Sequence, residues 1–242
     1  MAAAPTAILG ALKPAVDATL AALAERDAVR HIWAHDPDLW KPGDAAAARS
    51  ITTRLGWLDS PAWARERAGD LAAFAAEVRA AGYQHAVLLG MGGSSLAPEV
   101  LRRVCGVQPG FLELHVLDTT DPESLLAVER AVNLERTLFV VISKSGGTIE
   151  TTSGFRYFWG RVQAAGLEPG PHFVAVTDGG TALEKLAAER GFRRCFVNPS
   201  DIGGRYSALS YFGMVPAALI GVDLVALLNR AGAMADACRT QE

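Results

Sequence analysis

The chain has only three cysteines, Cys105, Cys195 and Cys238; they lie far apart and form no CxxC pair. That excludes a disulfide framework and a cysteine-based zinc site, and it fits a reduced, cytoplasmic protein. An excess of positive charge is also missing. The 23 Lys and Arg against 26 Asp and Glu leave a net charge of −3 over 242 residues. Affinity for phosphate backbones is built from clustered cations, so no nucleic-acid partner is expected. No run of about 18 residues is free of charges and helix breakers, so no membrane partner is expected either. The N-terminal Met1-Ala2-Ala3-Ala4-Pro5 carries no basic region, and Lys13 and Asp17 interrupt the one candidate apolar run, which argues against a signal peptide.

What is present is an ordinary globular composition, 50% apolar and 20% charged. Residues 1–80 are alanine-rich and read as a helical extension, with loops at Asp36-Pro37 and Lys41-Pro42-Gly43. Trp33, Trp40, Trp57 and Trp63 fall in it. They either anchor the extension on the main body or form an interface, where aromatics are enriched. Residues 81–242 read as an α/β domain. Apolar runs recur at 85–90, 112–118, 138–143, 173–177 and 195–197, their starts about 22 to 35 residues apart, the length of a strand plus a crossover helix. Asp121 ahead of Pro122 and the capping box Thr181-x-x-Glu184, closed by Gly191, punctuate the helices between them. This alternation predicts a three-layer αβα sandwich around a five-stranded parallel sheet. The third run is apolar on both faces and belongs at the centre, whereas the second alternates like an edge strand. The order that follows is 2-1-3-4-5, with a ligand expected where the chain reverses direction, between strands 1 and 3.

The two loops at that point are Gly90-Met91-Gly92-Gly93-Ser94-Ser95 and Ser143-Lys144-Ser145-Gly146-Gly147-Thr148, each leading into a helix. Taken singly, such glycines and hydroxyls serve as turns and caps. Converging, they offer backbone N–H groups, hydroxyl donors and two positive helix ends to an anion. No GxxxxGK[ST] motif occurs, which excludes a Walker loop. Gly90-x-Gly92 and Asp118 suit a dinucleotide, but Ser95 occupies the third glycine position, which argues against NAD. A third segment, Asp201-Ile202-Gly203-Gly204-Arg205-Tyr206-Ser207, carries an arginine suited to a carboxylate or a developing oxyanion, or to a surface ion pair. His31 and His35 with Asp36 and Asp38 lack further ligands at a suitable spacing, and no metal site is expected. His85, His115 and His172 read as structural.

These segments carry a resemblance. Gly90–Pro98 resembles the GIGGS-x-LGP segment of glucose-6-phosphate isomerases. Residues 143–151 resemble their SK[TS]-x-x-T-x-E-T segment, and residues 201–207 their VGGR[FY]S segment. Gly146-Gly147, with Leu39-Trp40-Lys41 and Arg54-Leu55-Gly56-Trp57-Leu58, is similar to the isomerase half of bifunctional transaldolase–isomerase proteins. The resemblance implies a sugar-isomerase (SIS) domain that binds phosphorylated sugars. It implies interconversion of glucose 6-phosphate and fructose 6-phosphate through a cis-enediol, with no cofactor. It implies that Ser143, Ser145 and Thr148 hold the phosphate with help from Lys144, and that Gly92, Gly93 and Ser94 line the pocket. Arg205 would stabilise the enediol, and Glu150 would support the ring-opening histidine. The family's catalytic glutamate and histidine have no counterpart here, so the chain is expected to be the phosphate-binding half of an isomerase. Its expected partners are a second copy, a second SIS domain or a transaldolase domain. Leu224, Leu227 and Leu228 would then be exposed where an absent domain belongs. The alternative is a non-catalytic phosphosugar-binding module that senses or regulates.

Overall fold

The computed structural model describes residues 8–240. Two compact units emerge, one of Thr53–Ala233 and one formed by the residues up to Thr52 with those from Met234 onward. The sequence pattern changes near residue 80, but the units part between Thr52 and Thr53.

The smaller unit contains α1 (Lys13–Glu25), α2 (Ala28–Trp33) and α3 (Ala45–Thr52). In it, Trp33 Nε1 donates to the Cys238 carbonyl at 3.1 Å, and the Arg239 guanidinium lies over the same ring. His31 Nδ1 sits 2.6 Å from Asp36 Oδ2. Asp36 also accepts from the Asp38 backbone N–H, and that bond, followed by His31, holds its carboxyl below the usual range. The apparent ligand cluster is therefore a capped turn with an imidazole–carboxylate pair.

The larger unit opens with α4 (Ser60–Ala80). Ala64, Ala68, Leu71, Ala75 and Val78 recur at helical spacing and are buried, so the alanine-rich stretch presents one close-packing face. Five strands follow: β1 (His85–Gly90), β2 (Glu113–Leu117), β3 (Thr137–Ile142), β4 (Phe173–Asp178) and β5 (Arg194–Asn198). They form one sheet, all neighbours parallel, in the order β2-β1-β3-β4-β5. β3 and β4 are buried throughout, while β2 and β5 alternate as edges do.

The crossovers supply α5 (Gly93–Cys105), α6 (Pro122–Ala131), α7 (Ile149–Ala164) and α8 (Ala182–Glu189). After β5 come α9 (Tyr211–Leu219) and α10 (Leu224–Arg239). Two hydrophobic clusters cover the two faces. One joins Leu88, Val140 and Val176 to α4 and α9; the other joins Val87, Phe139 and Ala175 to Phe155 and Phe158 of α7 and Leu183 of α8. Asp121 caps α6 by accepting from the Ser124 N–H at 2.8 Å. The Thr181 hydroxyl accepts from the Glu184 N–H at 3.3 Å, and the Glu184 carboxylate accepts from the Gly180 N–H at 2.5 Å.

One expectation is overturned. Leu224 and Leu228 are buried against α4 and α9, and Leu227 packs partly buried beside them. Their helical spacing serves this domain's own core, and the apolar face α10 leaves exposed includes Val225. Trp57 and Trp63 take the anchoring role. Trp57 stacks on Tyr206 with centroids 5.6 Å apart, and Trp63 meets Tyr211 edge-on at 4.8 Å.

Candidate functional site

The carboxyl ends of β1, β3 and β4 open onto a cleft of about 520 Å³. β1 ends at Gly90, and the chain turns through Gly92 at φ +58°, a conformation costly for any residue with a Cβ. α5 then starts at Gly93, against the Gly204 backbone. A Cβ on Gly93 would overlap the Gly204 carbonyl, so the first and third motifs touch only because this residue is glycine. Ser94 lies in the cleft wall. Ser95 is buried, donating to the Gly92 carbonyl at 3.1 Å and reaching Asp118 Oδ2 at 3.4 Å. Asp118, placed like a ribose-binding acid, is thus a partner of the loop itself.

From β3, Ser143 is buried, and its Oγ lies 2.9 Å from Thr148 Oγ1. Its carbonyl accepts from the Thr177 hydroxyl at 2.7 Å. Thr148 is the N-cap of α7 but makes no side-chain cap, because its hydroxyl is turned to Ser143. Among the described residues, the first-turn N–H groups of α7 therefore have neither an intrahelical nor a side-chain partner. α5, with Gly92 at its N-cap, is likewise uncapped by a side chain. In α5 the Ser94 and Ser95 amides are already turned back onto the Met91 and Gly92 carbonyls, so the open amides at the cleft are those of α7, an anion-binding arrangement that needs little basic charge.

Gly93, Ser94, Lys144, Ser145 and Thr148 line this cleft together. Ser143 supports it from beneath. Gly92 is exposed and shapes the turn without forming the wall. Arg205 is exposed on the short 3₁₀ turn Gly204–Tyr206, of which Gly204 and not Arg205 belongs to the wall. Glu150, in the first turn of α7, is half-buried beside Met91, Leu117 and Thr151, around a separate and very small cavity.

The fourth loop, Asp178-Gly179-Gly180-Thr181, was visible in sequence only as a helix cap. It repeats the strand–glycine–hydroxyl pattern of the other two, and Asp178, Gly179 and Thr181 line the cleft. Asp178 ion-pairs with Lys144 Nζ, which also donates to the Ser200 carbonyl at 3.0 Å. Burial raises the Asp178 carboxyl above the ordinary range despite Lys144, and its Oδ1 has no hydrogen-bond partner among the described residues. Ser200, Ser207 and Phe212 complete the wall. The third motif is braced from behind: Leu55 bridges to Ile202, and the Gly56 N–H donates to the Asp201 carbonyl at 3.0 Å.

A doubly wound parallel sheet with hydroxyl- and glycine-rich loops at its switch point defines the class: an open α/β domain with its candidate ligand cleft at the carboxyl ends of the strands. The chain belongs to the phosphoglucose isomerase family, whose family model matches residues 69–240. A glucose-6-phosphate isomerase of Thermosynechococcus vestitus is 36% identical over 214 residues, covering 87% of this chain and 39% of that protein. One from Acaryochloris marina is 38% identical over 180 residues, covering 70% and 34%. Among solved structures, a hypothetical protein from Thermus thermophilus aligns with TM-score 0.70 at 31% identity, covering 92% of this chain and 50% of that one. A glucose-6-phosphate isomerase from Chlamydia trachomatis aligns at 0.66 and 30%, covering 88% and 38%. The chain spans about a third to two-fifths of the curated relatives it matches.

Proposed function

We propose that this chain supplies the phosphate-binding half of a glucose-6-phosphate isomerase, an enzyme interconverting glucose 6-phosphate and fructose 6-phosphate. The observation that carries the reading is the single cleft shared by Ser94, Lys144, Ser145 and Thr148, with the uncapped N-terminus of α7 opening onto it. The phosphate would accept bonds from the hydroxyls of Ser145 and Thr148 and from the α7 amides. Each charge-assisted bond is worth about 1.5–3 kcal/mol, and the sugar would extend towards Ser94 and Gly93. Lys144 would contribute its backbone and, through Asp178, a neutralised head group.

Isomerisation needs a base within hydrogen-bond reach of the C2 proton. Among the described residues lining the cleft there is no histidine, and the one carboxylate, Asp178, is tied to Lys144. The base and the ring-opening group would come from outside this chain. Arg205, exposed beside the cleft, would face the reacting carbons in the completed site, with Glu150 positioning the ring-opening histidine. Calorimetry with glucose 6-phosphate, 6-phosphogluconate and glucose, beside an isomerase assay with and without a complementary C-terminal half, tests this. Binding of the two phosphorylated compounds but not glucose, with turnover only on complementation, is the expected result. Equal affinity for glucose refutes the phosphate clamp. Binding without turnover on complementation leaves the sensing module as the reading.

A further inference from the structure

His85, Glu113 and His115 stand apart from the cleft and from every motif discussed so far. His85 opens β1 and Glu113 opens β2, and the two are directly paired in the parallel register. His115, two residues along β2, projects from the same face as Glu113. The group therefore sits at the amino ends of the strands, at the edge of the sheet opposite the cleft. The two imidazoles lie 5.7 Å apart between ring centroids, and one ligand-bearing atom from each of the three residues falls within 4.8 Å of the others.

Two buried nitrogens here, His85 Nδ1 and His115 Nε2, have no hydrogen-bond partner among the described residues. A buried ring nitrogen without a partner is costly, and coordination to a cation would satisfy it. Burial, and then the neighbouring His85, hold the His115 imidazole below its ordinary pKa. Glu113 is exposed and supplies an anionic oxygen at the rim. The Arg102 guanidinium is the nearby cation: it is bonded to Glu99 at 2.9 Å, which keeps it occupied, though it feels the Glu113 charge.

We propose that His85, Glu113 and His115 form a binding site for a borderline divalent cation, zinc in the first instance, that clips the edge strand β2 to β1. Two imidazoles and one carboxylate are a recurrent zinc donor set that leaves further positions to water. Around a tetrahedral ion with bonds of about 2.0–2.1 Å, ligand atoms lie roughly 3.3 Å apart, so modest side-chain rotations close the present spacing. Two of the other histidines are already engaged. His31 is bonded to Asp36, and His172 Nδ1 lies 3.0 Å from the Thr137 carbonyl.

Chelator-stripped protein titrated with zinc chloride, by calorimetry and by melting temperature, is the direct test. One equivalent should bind and raise Tm, as for any ligand that binds only the folded state. Cobalt(II) in its place should give a visible spectrum without a thiolate charge-transfer band, which separates this site from the exposed Cys105 and Cys238. His115→Ala should abolish the bound equivalent. Glu113→Gln, a rim substitution that leaves folding undisturbed, should raise the zinc Kd by about tenfold or more. His31→Ala should leave binding intact. No binding by the wild-type chain, a thiolate band, or binding unchanged in both Glu113→Gln and His115→Ala would each overturn the proposal.

Discussion

Thr148 shows how much one hydroxyl can be asked to do. It forgoes capping α7 in order to meet Ser143 Oγ, and so leaves the helix amides open to the cleft. Thr148→Val keeps the shape and removes the donor. It should weaken 6-phosphogluconate binding by about 1.5–3 kcal/mol in calorimetry; unchanged affinity in a folded variant would remove Thr148 from the clamp. Asp178 makes a prediction about pH. Its raised folded-state pKa means that stability is fully present below the ordinary aspartate range and is lost as the pH climbs through the raised value. Asp178→Asn cannot ionise, so its Tm minus that of the wild type should grow over that interval and level off above it. A difference that stays flat or shrinks contradicts the burial argument. Cys195 is a third case. Burial pushes its thiol up to about 11, whereas Cys105 and Cys238 are exposed. Since the thiolate is the nucleophile, native-state alkylation near pH 8 should label Cys105 and Cys238 and spare Cys195, as read by peptide mass spectrometry.

Among the elements, α5 has a position at the cleft that rests on a missing side chain. Its first residue, Gly93, lies against the Gly204 backbone, and an added Cβ would force apart the two loops that bound the cleft. Overpacking of this kind costs about 1–3 kcal/mol. Gly93→Ala should therefore lower Tm and also weaken phosphosugar binding. Loss of stability with wild-type affinity would mean that the contact is structural only. The braces behind the third motif, Leu55 against Ile202 and Trp57 against Tyr206, act in the same way, fixing a loop by packing its back.

On the scale of the molecule, the chain carries one five-stranded sheet and corresponds to a minority of each curated relative's length. Under the proposed function its two jobs separate. The proposed phosphate contacts lie on loops of this sheet, while Arg205 is exposed and would act in a site completed from outside. Arg205→Lys should then leave the phosphosugar affinity of this chain almost unchanged. In the complemented enzyme it should lower kcat by one or more orders of magnitude with little change in KM, because a point charge cannot replace a planar guanidinium on a delocalised intermediate. A raised KM with kcat preserved would make Arg205 a ground-state anchor.

The sheet order was legible because burial writes itself into composition. A strand covered on both faces, such as residues 138–142, is apolar throughout, and an edge strand such as 113–117 need not be. The loops that line the cleft were legible only as a pair, because two glycine- and hydroxyl-rich segments follow the strands on either side of the switch point. What sequence could not decide is which distant residues share a space. Asp178 reads as an ordinary strand end until parallel pairing carries it to Lys144. His85 and His115 look like two unrelated strand histidines until the register of β1 and β2 sets them side by side. Leu224 and Leu228 carry the pattern of a surface awaiting a partner, and tertiary packing gives that partner as α4 and α9. Periodicity says that a face will be buried, but only the three-dimensional path of the chain says against what.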